Sequence, residues 1–280
     1  MFLLCDSGST KTDWLVGKKS SHIPHKRFQT SGINPALMGL PTVENILIDE
    51  LLPQIQLYEI TEIEFYGAGC IPDICLDMEV LFSKVITGLK NIKVSSDLYG
   101  AAKALCGNSE GIAAILGTGS NSCFYNGNEI LKNTPALGYI LGDEGSGAVL
   151  GRNLLNSILK RLLPTDIIDN FYLETGLKQK DIVDKVYRGN SPNRFLASFS
   201  TFIHNHIESD EIKEIVISNF QNFLVRNILQ YGRPDLPVNC VGSIAYYYSN
   251  ELKVAAEREG FKVGKILKSP LEGLFYSCIL

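Results

Sequence analysis

Two short segments of this chain carry the residue types that hold a polyphosphate. In Asp6-Ser7-Gly8-Ser9-Thr10-Lys11-Thr12-Asp13, a carboxylate at the end of an apolar run is followed by small residues with exposed backbone N–H groups, then a hydroxyl and a cation. Glycine lets the backbone approach a phosphate, N–H and hydroxyl groups donate to its oxygens, and Asp6 can hold Mg²⁺ directly or through water. The glycine spacing of a Walker A loop is absent, and the same residues also suit a plain hairpin turn. Leu116-Gly117-Thr118-Gly119-Ser120-Asn121 offers the same donors again. Two such loops could hold a β- and a γ-phosphate from opposite sides, which is what the electrostatics of phosphoryl transfer require.

Three further segments add acids and turns. Val94-Ser95-Ser96-Asp97-Leu98-Tyr99-Gly100 reads as the end of a strand and the start of a small-residue helix. Asp97 there is an N-cap, a general base for an attacking hydroxyl, or both. From Gly138 to Gly147, four glycines in ten residues surround the adjacent acids Asp143 and Glu144 just before a helix. Such a loop can bring acceptor-only carboxylates to a polyhydroxy ligand, whose hydroxyls are donors. In Val241-Gly242-Ser243-Ile244-Ala245 a strand gives way to a helix. A glycine at that turn lets a flat ring such as adenine lie on the backbone, and Ser243 is equally suited to cap the helix.

These residues need elements to carry them. Met1 to Asp6 and Lys11 to Gly17 flank the first donor turn as two strands of a hairpin. Glu62 to Tyr66 and Ile92 to Ser95 are short and rich in β-formers, while Val43 to Leu52 and Ile74 to Leu89 carry apolar residues at helical spacing. Strands alternating with helices indicate an α/β sheet. At Gly111 the opening design recurs, with Ile112 to Leu116, a second donor turn and Ser122 to Tyr125. Two hairpins of one design suggest two lobes of related topology, or simply two hairpins. Beyond Asp143 the pattern turns helical, with helices expected over Val149 to Leu163, Ile182 to Tyr187, Phe195 to Ile207 and Ile212 to Leu229. A strand over Pro237 to Val241, a helix over Ala245 to Glu259 and an apolar segment over Leu271 to Leu280 follow.

Composition narrows the class. At 280 residues and 45% hydrophobic, the chain can bury a large core. With 26 basic and 30 acidic residues and no block of five like charges, it lacks the footprint of a nucleic-acid or anionic-membrane binder. Seven scattered cysteines in mostly apolar surroundings point to reduced thiols rather than a disulfide framework. Asp6, Lys11 and Asp13 interrupt any leader-like start, and no uncharged run is long enough to span a membrane, so a cytoplasmic location is expected.

In their order and separations, the five segments from Asp6 to Gly273 resemble the actin-like ATPase superfamily, and within it the BadF/BadG/BcrA/BcrD-type ATPases that include N-acetylglucosamine kinase. The resemblance implies an α/β fold of two actin-like, ribonuclease H-like lobes, residues 1–107 and 108–280, around an ATP cleft. Extra helices belong to the second lobe, and a final helix near 270–280 can pack back on the first. It implies ATP and Mg²⁺ as cofactors, a small sugar as substrate and a homodimer as assembly. Gly8, Ser9, Thr10 and Lys11 inherit the first phosphate motif, with Asp6 at the metal. Gly117, Thr118 and Gly119 inherit the second, Gly242 and Ser243 the adenosine motif, and Asp97 the catalytic base. Asn34, Asn121, Gly138 and Asp143 would face the sugar. One departure stands out: kinases acting on N-acetylglucosamine carry Gly-Trp-Gly ahead of Gly-Asp-Glu-Gly, where this chain reads Ala136-Leu137-Gly138. Losing a large flat contact leaves the acceptor open among amino sugars, N-acetylated sugars and plain hexoses. Other members of the broad family activate a dehydratase through an iron–sulfur cluster, and sugar-kinase folds also serve as non-catalytic sugar sensors. Cys70 and Cys75 are the only close cysteine pair for the former reading.

Overall fold

In the computed structural model, which describes residues 1–8 and 10–279, the alternation of Phe2–Ser7 (β1) and Lys11–Gly17 (β2) sends successive side chains to opposite faces. They pair antiparallel, with Asp6 opposite Asp13 and Ser7 opposite Thr12. Leu3, Cys5, Trp14 and Val16 face one core, which they share with Phe65, Met78, Leu81 and Phe82. Phe2 and Leu4 face the other way, where Phe2 meets the ring of Phe275. Lys26–Ser31 (β3) adds to the open edge of β2, and Glu62–Gly67 (β4) and Asn91–Ser96 (β5) add in parallel on the other side of β1. The sheet order is β3-β2-β1-β4-β5.

The second sheet repeats this plan. Gly111–Leu116 (β6) and Ser120–Tyr125 (β7) form its hairpin, Ile130–Thr134 (β8) extends it antiparallel, and Val238–Val241 (β9) and Val263–Leu267 (β10) add in parallel. The order β10-β9-β6-β7-β8 is the first sheet's order read from its other edge. The recurrence suggested by two donor turns therefore extends to two whole five-stranded sheets. The chain is α/β, with two lobes of one topology, as expected.

Two compact units follow from the contacts. One comprises residues 1–109, 127–129 and 269–280, and the other residues 110–126 and 130–268. In the first, the helix Asp97–Cys106 packs beside β4, and its Gly100 is required by packing, because a Cβ there would sit 2.7 Å from Cβ and Cγ of Tyr66. The helix Leu271–Ile279 lies against Asp97–Cys106 and β1. In the second unit, helices at Gly147–Leu159, Thr165–Thr175, Gln179–Arg188 and Asp210–Phe223 bury Leu154, Phe171, Ile182, Phe220 and Phe223 in one core. The helix expected over Phe195 to Ile207 is two shorter ones, Pro192–Ser198 and Ser200–Asn205, and that expected over Ala245 to Glu259 divides at Tyr248. Among the described residues no helix is long and apolar enough to cross a membrane.

Candidate active site

Two groups of predicted residues assemble, one in each unit. In the first, Asp6 closes the face of β1 that carries Phe2 and Leu4, and Asp13 stands directly across from it on β2. Asp97 begins the helix that follows β5. The carboxyl ends of parallel strands are where open α/β sheets gather ligand-binding groups. Burial and the neighbouring carboxylates of Asp97 and Asp13 push the Asp6 carboxyl up to about 7, against a smaller opposing pull from Lys11. Burial raises that of Asp97 as well. The Lys11 ammonium is held by Asp13 at 2.9 Å, and Gln29 donates to the same carboxylate at 2.6 Å. Three acids with one lysine leave an excess of negative charge that favours a cation nearby, though the three do not themselves form a ready-made metal-binding group.

The cap of the Asp97 helix is Ser96, whose hydroxyl accepts from the Tyr99 N–H at 3.2 Å. The capping role open to Asp97 in sequence thus falls to its neighbour. Asp97 is the first helical residue, and its Oδ1 accepts from the Leu98 N–H at 2.8 Å. In the opening turn, the Gly8 N–H donates to the Lys11 carbonyl at 3.1 Å, Thr10 is exposed, and Ser9 lies outside the described residues. Asn34 is buried, 8% exposed, and among the described residues its Oδ1 is the buried side-chain polar atom without a hydrogen-bond partner. An orphan acceptor of this kind calls for an explanation, and a ligand hydroxyl or amide N–H would satisfy it.

The second group is built on β6. Carbonyls of Gly117 and Thr118 accept from the N–H groups of Gly147 and Ala148 at 2.8 and 3.1 Å, so the donor turn sits on the first turn of the Gly147–Leu159 helix. Gly242 touches the same turn: with φ of +122° and a would-be Cβ 2.3 Å from the Leu116 carbonyl oxygen, only glycine fits there. Ser243 is the first residue of a short helix and makes no side-chain cap, which corrects the capping alternative. Asp143 closes on the turn from the other side. Its Oδ1 accepts from the Ser120 N–H at 3.4 Å, its Oδ2 would lie 3.1 Å from a Cβ on Gly119, and burial raises its carboxyl. The residues at 117–119, 143 and 242 are therefore brought together.

Asn121 and Gly138 are placed differently. Asn121 Oδ1 is taken up by the Ser122 N–H at 2.9 Å and Asn133 Nδ2 at 2.8 Å. Gly138 is exposed, with open space where a side chain would be. Leu137, at the tryptophan position of the resemblance, is 63% exposed, and it and Asp143 have φ of 63° and 54°. Non-glycine residues in that region store strain, and such strain clusters at ligand-binding segments.

Sequence reasoning overlooked the supports. Asn219, 1% exposed, accepts from the Gly145 N–H at 3.1 Å and donates to the Ser146 carbonyl at 3.2 Å, which fixes the glycine-rich loop. Nothing in the helical pattern around it marks this residue. Asp13 was legible in principle, since strand alternation puts it on the face of Asp6. The Cys70 and Cys75 thiols lie within hydrogen-bond reach of each other. They occupy the positions before the cap and four residues into the Pro72–Val85 helix, where side chains staple a helix start. Among the described residues no three His, Cys, Asp or Glu side chains form a metal-binding group.

A scan against models of protein families matched none, and a search of the curated proteins found no match. Solved structures do match. Over 99% of this chain and 98% of the other, it is 46% identical, with a TM-score of 0.96, to a "Putative N-acetylglucosamine Kinase" from Porphyromonas gingivalis. A protein of the same description from Chromobacterium violaceum matches over 99% and 98% with a TM-score of 0.74 at 17% identity. Ethanolamine utilization protein EutJ from Carboxydothermus hydrogenoformans matches over 99% and 88% with a TM-score of 0.59 at 14% identity. The latter two likenesses speak for the fold alone, which is that of the actin-like ATPases. By its identity over its whole length to the Porphyromonas gingivalis protein, this chain belongs to the N-acetylglucosamine kinase-like family of the actin-like ATPase superfamily.

Proposed function

We infer that the chain is an ATP-dependent sugar kinase whose acceptor is an amino sugar such as N-acetylglucosamine, with Asp97 as the catalytic base. The observation that carries this reading is the set of acids formed by Asp6 on β1, Asp13 opposite it on β2 and Asp97 at the start of the helix after β5, with a proton held more tightly than usual at Asp6 and at Asp97. The 46% identity to a protein described as a "Putative N-acetylglucosamine Kinase" supports the acceptor class. A raised carboxyl pKa suits general-base work, because a base titrating nearer neutrality takes a hydroxyl proton with more driving force.

In this reading Asp97 accepts the proton of the sugar hydroxyl as its oxygen attacks the γ-phosphorus. Asp6, with Asp13 across the hairpin, would hold Mg²⁺, which neutralises charge on the phosphates when bound. The turns at Gly8–Lys11 and Gly117–Gly119 donate backbone N–H groups to the phosphates, and Gly242 and Ser243 border the adenosine. Asn34, Asn121, Gly138 and Asp143 orient the sugar. Of these, Asn34 offers an acceptor with no partner of its own, whereas Asn121 Oδ1 must share or exchange its present donors. A homodimer belongs to the same proposal, by resemblance.

The test is ADP release from Mg²⁺-ATP over a panel of hexoses, amino sugars and N-acetylated sugars, with Asp97→Asn beside the native protein. One sugar should raise turnover well above the rate without sugar, and Asp97→Asn should lower that rise by about 10²- to 10⁴-fold, the usual worth of a positioned base. If no sugar accelerates ADP release, the kinase reading fails and binding without turnover becomes the question.

A further inference from the structure

We propose that Ser7 and Thr12 form a buried hydroxyl latch that sets sugar affinity by fixing the backbone that carries Asn34. Neither residue belongs to the phosphate or sugar sets above, and the proposal rests on the assignment of Asn34 to the sugar. The two side chains stand opposite each other on β1 and β2, on the face away from Asp6 and Asp13, and both are 0% exposed. Their oxygens are 2.6 Å apart.

Two hydroxyl protons serve three short oxygen contacts here. Ser7 Oγ lies 2.9 Å from the Ile33 carbonyl oxygen, and the Ile33 N–H donates to Ser7 Oγ at 3.0 Å and to Thr12 Oγ1 at 3.2 Å. Each hydroxyl has one proton. With Ser7 donating to the Ile33 carbonyl, Thr12 donates to Ser7 across the 2.6 Å separation, and the Ser31 carbonyl 3.1 Å from Thr12 Oγ1 goes without that proton. Both polar groups of the Ile33 backbone are then held by hydroxyls from the very hairpin that bears the first donor turn. Thr12 Oγ1 is also 3.1 Å from the Ser31 carbonyl, and Ser31 is tied in turn to Glu50 through its N–H and its hydroxyl, each at 2.7 Å.

The next residue is Asn34, which cannot drift on its other side. Gly69, at φ of +77°, brings its backbone so close that a Cβ there would lie 2.2 Å from Asn34 Oδ1. An acceptor left without a partner in a buried site binds a donor well only if it does not have to be ordered first. The latch provides that ordering. It also places the sugar contact in register with the turn proposed for the phosphates, through two hydroxyls and one peptide unit.

Thr12→Val and Thr12→Ser separate the hydroxyl from the shape, since valine keeps the branched volume and serine keeps the oxygen. Steady-state kinetics should give Thr12→Val a KM for the accepted sugar raised about tenfold, the worth of one such hydrogen bond, with KM for ATP and kcat within twofold of native. Thr12→Ser should remain within threefold of native in all three. Hydrogen exchange at the Ile33 and Asn34 amides should quicken in Thr12→Val and not in Thr12→Ser, at thermal midpoints that certify both as folded. Equal sugar KM in Thr12→Val and native protein overturns the latch, as does a parallel shift in KM for ATP and kcat, or a Thr12→Ser variant as impaired as Thr12→Val. If the native protein itself phosphorylates no sugar, it is the assignment of the kinase that has failed, and the latch's role in sugar affinity falls with it.

Discussion

Asp6 and Asp13 face each other across an antiparallel pair, an arrangement of like charges that costs stability unless something offsets it. The folded chain holds the Asp6 proton to about pH 7, against 3.8 for an unhindered aspartate. A carboxyl harder to ionise in the folded state contributes stability that is whole below about pH 4 and lost as pH rises through 7. Between pH 5.5 and 8 the melting temperature of the free protein should therefore fall by roughly 2–5 °C more than that of Asp6→Asn. On the proposed function, Mg²⁺ with nucleotide should narrow that difference. Identical slopes for the two proteins would mean that the Asp6 proton is not linked to folding. Candidate residues such as Asp6, Asp97 and Asp143 stood out in sequence because each acid lies among small glycine- or serine-rich neighbours where the chain changes direction. Ser7, Thr12 and Asn219 did not, because a small polar residue inside a strand or helix looks the same whether it is solvated or holds a loop. Only the packing gives it away.

The strands divide in the same manner. Those with both faces covered, such as β1 and β6, read as continuous apolar runs and were legible at once. Of the four edge strands, β5 was legible but β3, β8 and β10 were missed: Lys-Arg-Phe-Gln-Thr-Ser in β3 and Ile-Leu-Lys-Asn-Thr in β8 leave many of their side chains in water. Their pairing is dictated by the strand beside them rather than by their own pattern. Element junctions also carry the sharpest steric demands. Gly242 joins β9 to its helix with a positive φ and its α-carbon against the β6 carbonyl at Leu116. Gly242→Ala has to move that backbone, and should cost about 1–3 kcal/mol of stability. Because Leu116 leads into the Gly117–Gly119 turn, the proposed function further requires KM for ATP to rise more than KM for the sugar in this variant. A variant as stable as native, with both constants unchanged, would show that the junction has slack.

The chain leaves the first unit at residue 110, touches it again at residues 127–129 and returns to it at residue 269, so residues 269–280 complete that unit. The return is not decorative: Leu271, Leu274 and Phe275 of the Leu271–Ile279 helix are 4%, 0% and 2% exposed. A Cβ on Gly273 would sit 2.4 Å from the Ala104 carbonyl oxygen, so this helix touches the Asp97–Cys106 helix backbone to backbone. At roughly 1.5–3 kcal/mol for each large apolar side chain buried, the contact is worth a large part of the marginal stability of a unit this size. Phe275→Ala should remove about 3–5 kcal/mol, and the loss should fall on the first unit, whose β1 meets the missing ring through Phe2. The second sheet has its own core of Ile112, Leu154, Phe220 and Phe223, to which Phe275 contributes nothing. Hydrogen exchange followed by mass spectrometry should then report faster exchange over residues 2–17 and 97–106 in Phe275→Ala, with residues 147–159 and 210–223 close to native. Uniform loosening of both regions would mean instead that the two units unfold as one, and that the closing helix stabilises the molecule rather than its own unit.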